Sequence, residues 1–383
     1  MNVSLNMTEK LSKNKYYAAL ASLLLGAVYV PLAIGGGIPI DRVSSLIAII
    51  SFALLLVGAS KISDILPFAI LYFLIYAVTA SHLIGSVVIL IIAEIGLGAN
   101  EIILSSSNPR RLASVYAFLP ISVMAAYFLT GSTVAIVAVV IPFAFMTALG
   151  FCVIAKKNRK DVILILTVVA MGIVAALAIG YMLFTKTSPE QLKSAYVGER
   201  DAIINYLCSY SVDMGGEIIP LFMDTSYAAD IMISTLNLLP SIVVISFIAV
   251  SFFLYGYQVS VLRKLGKLEY VTEEILDIDI SGTAAAVYLI AFVLSITTDS
   301  YGNLPFGSVV CQNLYTILTP ALAYAGVKSV KSFIQKKRIR IGFLLMIPIV
   351  LLAMTGYMFM ILSLVGIICI FARNAKAWAE KKD

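Results

Sequence analysis

Residues 132–155 read STVAIVAVVIPFAFMTALGFCVIA and carry no charged side chain, and the five residues that follow, 156–160, read KKNRK. A run of this length can cross a bilayer as one helix, which needs roughly 20 apolar residues. The change from an apolar run to a basic cluster is typical of a helix that ends at the cytoplasmic face of a membrane. This stretch therefore predicts a transmembrane helix and its direction.

The composition of the whole chain agrees with this local pattern. Of 383 residues, 61% are hydrophobic and 13% are charged, and the mean hydropathy is +1.01. A soluble core of this length would not bury so much apolar surface, so we predict an integral membrane protein. Only helices and closed barrels satisfy their backbone groups in lipid, and barrel strands alternate polar and apolar residues. These runs do not alternate, so the expected class is all-α.

Similar apolar runs occur on both sides of residues 132–155. They lie at Tyr16 to Ile34, Val43 to Ala59, Ile65 to Ala80, Leu83 to Gly98, Leu112 to Thr130, Val162 to Phe184, Thr235 to Tyr257, Gly282 to Thr298, Gly307 to Phe333 and Ile341 to Phe371. Together they predict a polytopic protein with 10–12 transmembrane helices and one amphipathic segment outside the membrane.

Basic residues near the helix ends set the expected orientation, because cytoplasmic loops carry the excess of Lys and Arg. Six passes from a cytoplasmic N-terminus return the chain to the cytoplasm at the cluster 156–160, and a second basic cluster follows Phe333. We expect a protein of the bacterial cytoplasmic membrane with both termini in the cytoplasm. We divide it into a six-helix domain, residues 1–160, and a second membrane domain, residues 161–383.

Residues 185–234 form the longest polar segment, in which acidic residues outnumber basic ones, as expected of an outer loop. Within it, Ser188, Pro189 and Gln191 have the spacing of a helix N-terminus, with Ser188 as N-cap and Gln191 at the capping-box position. Apolar residues then recur at helical spacing from Leu192 to Tyr210. We expect an amphipathic helix on the outer membrane face or over the mouth of a cavity.

The last apolar stretch, Ile341 to Phe371, is too long for one ordinary span and has basic residues on both sides. Two short helices that turn near Gly356 would return the chain to the same face of the membrane. One strongly tilted helix is the alternative.

Several chemistries lack the residues that they need. The single histidine, His82, cannot supply a multi-histidine metal site, and neither a phosphate-binding GxxxxGK[ST] loop nor a GxSxG nucleophile motif occurs. We therefore expect no metal, no cofactor and no enzyme activity. The net charge of +6 fits cytoplasmic loops beside anionic lipid, so membrane lipid is an expected partner and nucleic acid is not.

Polar residues inside the apolar runs are the candidates for ligand binding, since such groups usually face a cavity or a partner. Glu94 is the clearest case, and a role with a ligand or a proton competes with simple snorkelling to the interface. Gln312, Asn313 and Asn237 can bind a ligand or join helices by hydrogen bonds.

Small residues mark a face on the first helix. Ala18, Ser22 and Gly26 recur every four residues, so another helix can approach closely there, either from a partner or from this chain itself. The run Gly35 to Gly37 before Ile38 and Pro39 predicts a loop that is either a gate or a simple turn.

Three parts of the chain carry a family resemblance: Ile141-Pro142-Phe143 to Lys157, Leu239-Pro240 to Gly266, and Gln312-Asn313 to Arg373. In these parts the chain resembles the YybS-like family of uncharacterised bacterial membrane proteins. That family is distantly similar, in its N-terminal helices, to the substrate-binding S components of energy-coupling-factor vitamin transporters and to the rod-shape protein MreD.

The resemblance implies two functions. An S component binds a micronutrient near the outer surface and docks through a small-residue face on a coupling subunit with ATPases, and Ala18, Ser22 and Gly26 would match that face. The alternative is a membrane scaffold that binds proteins of the cell-envelope, division or sporulation machinery. A proton-coupled carrier that uses Glu94 is a third hypothesis.

Overall fold

The computed structural model of this protein describes residues 2–34, 41–59, 61–131, 133–188, 191, 194, 198, 202, 237–270, 280–297, 306–337 and 357–380. These residues are almost entirely helical, and no β-strand occurs among them. The predicted all-α class of a polytopic membrane protein is confirmed.

Eleven α-helices lie within the described ranges, and each of the predicted apolar runs overlaps one of them. They are α1 Asn2–Ile34, α2 Asp41–Gly58, α3 Leu66–Thr79, α4 His82–Ser105, α5 Pro109–Thr130, α6 Thr133–Ile154, α7 Arg159–Thr185, α8 Leu239–Lys264, α9 Gly282–Thr297, α10 Phe306–Lys337 and α11 Tyr357–Glu380.

Six of the described helices are both long and apolar enough to cross a membrane by themselves. The qualifying segments are Lys13–Ala33, His82–Ser105, Pro109–Thr130, Ala135–Ile154, Arg159–Leu177 and Leu239–Lys264. Shorter apolar helices occur at Arg42–Gly58, Leu66–Ala77, Gly282–Ser295 and Phe359–Ala375.

Local sequence signals explain where helices begin and end. Asn108 caps α5, because its side-chain oxygen accepts a hydrogen bond from the backbone N–H of Arg111, and Pro109 occupies the first helical position. Gly131 ends α5 with φ of 63°, a left-handed conformation that glycine adopts without strain. These residues fix a sharp loop on each side of α5.

Packing divides the chain into two compact units. The first contains residues 1–177 and 247–276, and the second contains residues 178–246 and 277–383. These limits differ from the expected boundary at residue 160, since most of α7 and α8 packs with α1–α6. The basic cluster 156–160 follows the end of α6, and the first unit continues past it into α7.

In the first unit, α4 is the central helix and packs on α1, α2, α3, α5 and α6. Most of its residues are buried, which explains why glycine occurs at three positions where neighbours approach closely. A Cβ at Gly96 would lie 3.1 Å from the Tyr257 ring, and one at Gly98 would overlap Met146. Because α4 lies at the centre, a polar side chain on it is removed from lipid and water.

In the second unit, α10 and α11 cross with their backbones in contact. A Cβ added at Gly326 would overlap the carbonyl of Leu362, and one at Gly366 would overlap the carbonyl of Leu322. The hydroxyl of Ser363 donates to the carbonyl of Thr319 at 3.0 Å. Such small-residue crossings are the usual way in which membrane helices reach close packing.

The direction of α11 favours the hairpin interpretation of residues 341–371. Tyr315 and Thr316 of α10 line the same cavity as Phe359 and Met360 of α11, and Leu322 meets Gly366 further along both helices, so α10 and α11 run parallel. The described part of α11 starts at Tyr357, one residue after the predicted turn at Gly356. One tilted helix would run antiparallel to α10. The first half of the predicted hairpin lies in residues 338–356, outside the described residues.

Two other predicted features fall mostly outside the described residues. Of the outer segment 185–234, the structure describes 185–188 and four later positions. The predicted capping box is confirmed: Gln191 N–H donates to Ser188 Oγ at 3.2 Å, and Ser188 N–H donates to Gln191 Oε1 at 2.8 Å. The loop Gly35 to Pro39 is not described.

Candidate functional site

Glu94 occupies the middle of α4, the central helix of the first unit. The run Leu83 to Gly98 suggested a position near the inner helix end, but α4 continues to Ser105, about 16 Å further along the axis at 1.5 Å per residue. The side chain is 2% exposed. Glu94 is therefore too deep for its carboxylate to snorkel to an interface.

The carboxylate of Glu94 points at a glycine on α1. A Cβ placed on Gly26 would overlap Glu94 Oε2, so the carboxylate occupies the space that a side chain at position 26 would need. Within the part of the chain that the structure describes, the carboxylate forms no ion pair and accepts no hydrogen bond. An uncompensated charge at this depth costs several kcal/mol, of order 3 or more, unless the group holds a proton or a cation.

A second glutamate on the same helix has a different environment. Glu101 is also fully buried, but its Oε2 accepts hydrogen bonds from Arg111 Nε at 3.0 Å and from Arg111 Nη2 at 2.7 Å. The guanidinium of Arg111 lies over the Tyr16 ring, 4.9 Å from its centroid. This ion pair, in which two guanidinium N–H groups donate to one carboxylate oxygen, joins α4 to α5 and gives Glu101 a structural role.

Basic residues of the first unit are also used structurally, at the C-terminus of α2. Lys15 Nζ donates to the carbonyls of Val57 at 3.0 Å and Gly58 at 2.6 Å, and Lys264 Nζ donates to the carbonyl of Ala59 at 2.6 Å. Tyr257 completes the cap with a 3.1 Å bond to the carbonyl of Leu55. A buried helix end leaves carbonyls without partners, and two ammonium groups also match its negative dipole.

Several buried polar atoms of the first unit have no partner among the described residues. Both side-chain atoms of Asn100 are in this state, as are Ser22 Oγ and Gln258 Oε1. Ser22 lies one turn before Gly26 on the α1 face that meets Glu94. Natural proteins leave few such atoms unpaired, so the interior of the first unit contains unused hydrogen-bonding groups in addition to the Glu94 carboxylate.

The predicted small-residue face on α1 is directed into the first unit. Ala18 and Ser22 are buried, and Gly26 contacts Glu94 of α4. Ala18 packs with Ala19 and Leu97. These contacts match the alternative in which the second helix belongs to this chain, and they leave no exposed surface at these three residues for a partner helix.

The other three candidates belong to the second unit, so the structure does not group them with Glu94. Asn313 Nδ2 donates to the carbonyl of Asn237 at 2.8 Å, and Asn313 Oδ1 accepts the N–H of Ser241 at 2.9 Å. Asn313 thus holds the start of α8 against α10, and Asn237 takes part through its backbone. Gln312 is half-buried, and its backbone carbonyl accepts a bond from the Thr316 hydroxyl.

The sequence patterns did not reveal the side chains of Lys15 and Lys264 that bind the C-terminus of α2, nor the ion pair of Glu101 with Arg111. Lys15 directly precedes the predicted first span and looked like part of its basic flank, although α1 places it inside the unit. Glu101 lies three residues past the predicted end of its span and looked like a loop residue. Lys15 and Lys264 bind carbonyls at least 42 residues away in the sequence, and Glu101 and Arg111 lie on two different helices, so no local pattern predicts these contacts.

Comparison with known families gives one match. The model of a family described as "Predicted membrane protein (DUF2232)" matches residues 109–369, about two thirds of the chain. The chain belongs to the DUF2232 family. The match begins at the first residue of α5 and includes two of the three stretches on which the family resemblance was based and most of the third, which continues to Arg373. Glu94 and Lys15 precede the match. No curated protein and no solved structure matches the chain.

Proposed function

We propose that this member of the DUF2232 family is a small-molecule binding or transport component of the bacterial cytoplasmic membrane. Glu94 is the group that meets the transported species. One observation carries the proposal: a carboxylate sits at the middle of the central helix, is almost completely buried, and has no partner among the described residues. Ionisable groups at such a depth are rare and usually functional.

The chemistry of the site selects the ligand class. A buried carboxylate is neutralised by a proton, a small cation or a cationic group of a ligand. The nearby basic residues are committed elsewhere, Lys15 to the α2 carbonyls and Arg111 to Glu101. Glu94 is thus available for a proton or an external cation, which supports a coupling role.

The proposal keeps both termini in the cytoplasm. Lys15 near the N-terminus and Lys264 at the end of α8 bind the same α2 terminus, so they lie at one end of the first unit. The positive-inside rule assigns that end to the cytoplasm.

Transport driven by ATP would need a partner subunit, because the sequence contains no phosphate-binding loop. A coupling subunit with ATPases therefore remains part of the proposal, although its docking surface must lie elsewhere than Ala18, Ser22 and Gly26. No enzyme activity is proposed. The scaffold alternative depends on the outer segment 185–234, which lies mostly outside the described residues, so no contact favours it.

Carbodiimide labelling tests the central observation, because dicyclohexylcarbodiimide reacts with protonated carboxyl groups in apolar surroundings. In native membranes we expect the reagent to modify Glu94 and spare Glu101, which is equally buried but paired with Arg111. Peptide mass spectrometry locates the adduct, and Glu94→Gln serves as the control that loses it. Modification of both glutamates, or of neither, would contradict the assignment.

Transport is tested in proteoliposomes with an internal pH dye and an imposed proton gradient. We expect the wild-type protein to dissipate the gradient, or to do so on addition of its substrate, and Glu94→Gln to be at least tenfold slower. Native mass spectrometry of the gently purified protein identifies retained metabolites or ATPase partners. Equal rates for both proteins, with envelope proteins retained instead, would favour the scaffold.

A further inference from the structure

The second unit contains an open cavity of about 400 Å³ that is unrelated to Glu94. Its lining comes from α8, α9, α10 and α11, and consists of Ile245, Tyr288, Phe292, Tyr315, Thr316, Thr319, Pro320, Phe359 and Met360. The predicted ligand residues Gln312, Asn313 and Asn237 are not among these. Neither the sequence patterns nor the family match assigns a role to this cavity.

Three aromatic rings form one rigid wall. Tyr288 and Phe292 are stacked with ring centroids 6.1 Å apart and an interplanar angle of 6°. The Tyr315 ring meets both of them edge-on, at 6.1 Å from Tyr288 and 5.7 Å from Phe292. Rings that hold each other in place leave the cavity little freedom to collapse, and they offer two parallel ring faces and one perpendicular ring, between which a flat apolar ligand can stack.

The cavity also contains two polar groups without a committed partner. Pro320 has no N–H, so the carbonyl of Thr316 lacks its usual donor four residues later in α10. Tyr288 is 1% exposed, and its hydroxyl has no hydrogen bond within the described residues. The Thr316 and Thr319 hydroxyls already donate to the carbonyls four residues earlier.

We propose that this cavity binds a flat, mostly apolar small molecule that carries one hydroxyl group. The ligand places its rings against Tyr288, Phe292 and Tyr315, and its hydroxyl donates to the Thr316 carbonyl and accepts from the Tyr288 phenol. An acyl chain would use the apolar wall but not the two polar groups. The site is independent of Glu94, so each proposal can fail without the other.

Two matched probes test the hydroxyl requirement. The full-length protein in lipid nanodiscs is dialysed against 2-naphthol or 2-methoxynaphthalene, which keeps the rings but cannot donate, and empty nanodiscs correct for partition into lipid. Because one hydrogen bond contributes about 1 kcal/mol, 2-naphthol should bind about fivefold more tightly. Equal binding of both probes would overturn the proposal.

Two variants locate the binding. Tyr288→Phe keeps the ring and removes the phenol that donates to the ligand oxygen, so 2-naphthol should bind at least twofold more weakly. Met360→Trp fills the cavity and should abolish specific binding of both probes, while Tyr116→Phe in the first unit should leave both unchanged. Retention of 2-naphthol by Met360→Trp, with its thermal unfolding unchanged, would place the bound probe elsewhere and overturn the assignment.

Discussion

The two units differ in what they bury. The interior of the first unit holds Lys15, Glu94 and Glu101 among its apolar residues. In the second unit, the buried polar residues that the structure describes are two serines, Ser241 and Ser363, and the interior is built from aromatic rings and glycine contacts. Among the described residues, buried charge is therefore confined to the first unit, whereas close apolar packing occurs in both.

This difference separates two kinds of chemistry within one membrane chain. Buried charges are costly, and they persist where a partner compensates them or where a function needs them. Glu101 represents the first case, and we propose that Glu94, seven residues before it on the same helix, represents the second. No charged residue occurs among the described buried residues of the second unit, so its cavity suits a neutral ligand.

The largest effect is expected from breaking the ion pair of the first unit. Arg111→Ala leaves Glu101 charged and unpaired, and we expect the free energy of unfolding to fall by about 3–5 kcal/mol in SDS titrations. Arg110→Ala, at the exposed neighbouring position, is the matched control and should change it by less than about 0.5 kcal/mol. The double variant Arg111→Ala, Glu101→Gln should recover part of the loss. Equal stability of the two single variants would refute a structural role for the pair.

The closest crossing of the second unit should be the next most sensitive position. At Gly326 even a methyl group meets the Leu362 carbonyl, so Gly326→Ala should destabilise by about 1–3 kcal/mol. Gly180 has open space around its Cα, and Gly180→Ala should be neutral or stabilising by up to about 1 kcal/mol. Thermal unfolding in detergent measures both. If the two variants behaved alike, the backbone contact of α10 with α11 would be wrong.

Hydrogen bonding in the second unit is tested at two adjacent residues. Asn313→Leu removes the bonds to Ser241 and Asn237, and we expect a loss of about 2 kcal/mol. Gln312→Leu, one residue earlier, should stay within about 0.5 kcal/mol of wild type. The same SDS titrations serve here. A larger loss at Gln312 than at Asn313 would reverse their assigned roles.

The smallest effect on stability is expected at Glu94 itself. Glu94→Gln keeps the size of the side chain and removes a group without a partner, so the free energy of unfolding should change by less than about 1 kcal/mol, in either direction. Glu101→Gln weakens a charged pair and should cost more. A large loss of stability in Glu94→Gln would indicate a structural role and would weaken the proposed function.

The membrane class and the positions of the helices followed from composition and from runs of apolar residues. Ser188 and Gln191 were also predictable, because a capping box is a local pattern. Glu94 stood out because a single acidic residue within an apolar run is visible without a structure. Its depth was not, since the end of α4 at Ser105 lies in a more polar stretch.

The sequence by itself determined that the protein is helical, spans a membrane many times and carries an acidic residue within one span. These properties depend on local hydropathy and charge, which can be read directly from short segments of the sequence. Tertiary structure alone decided that Glu101 is paired and Glu94 is not, that Ala18, Ser22 and Gly26 face α4, and that α11 runs parallel to α10. Each of these depends on contacts between different helices, because a buried group's role is set by the neighbours that packing brings to it.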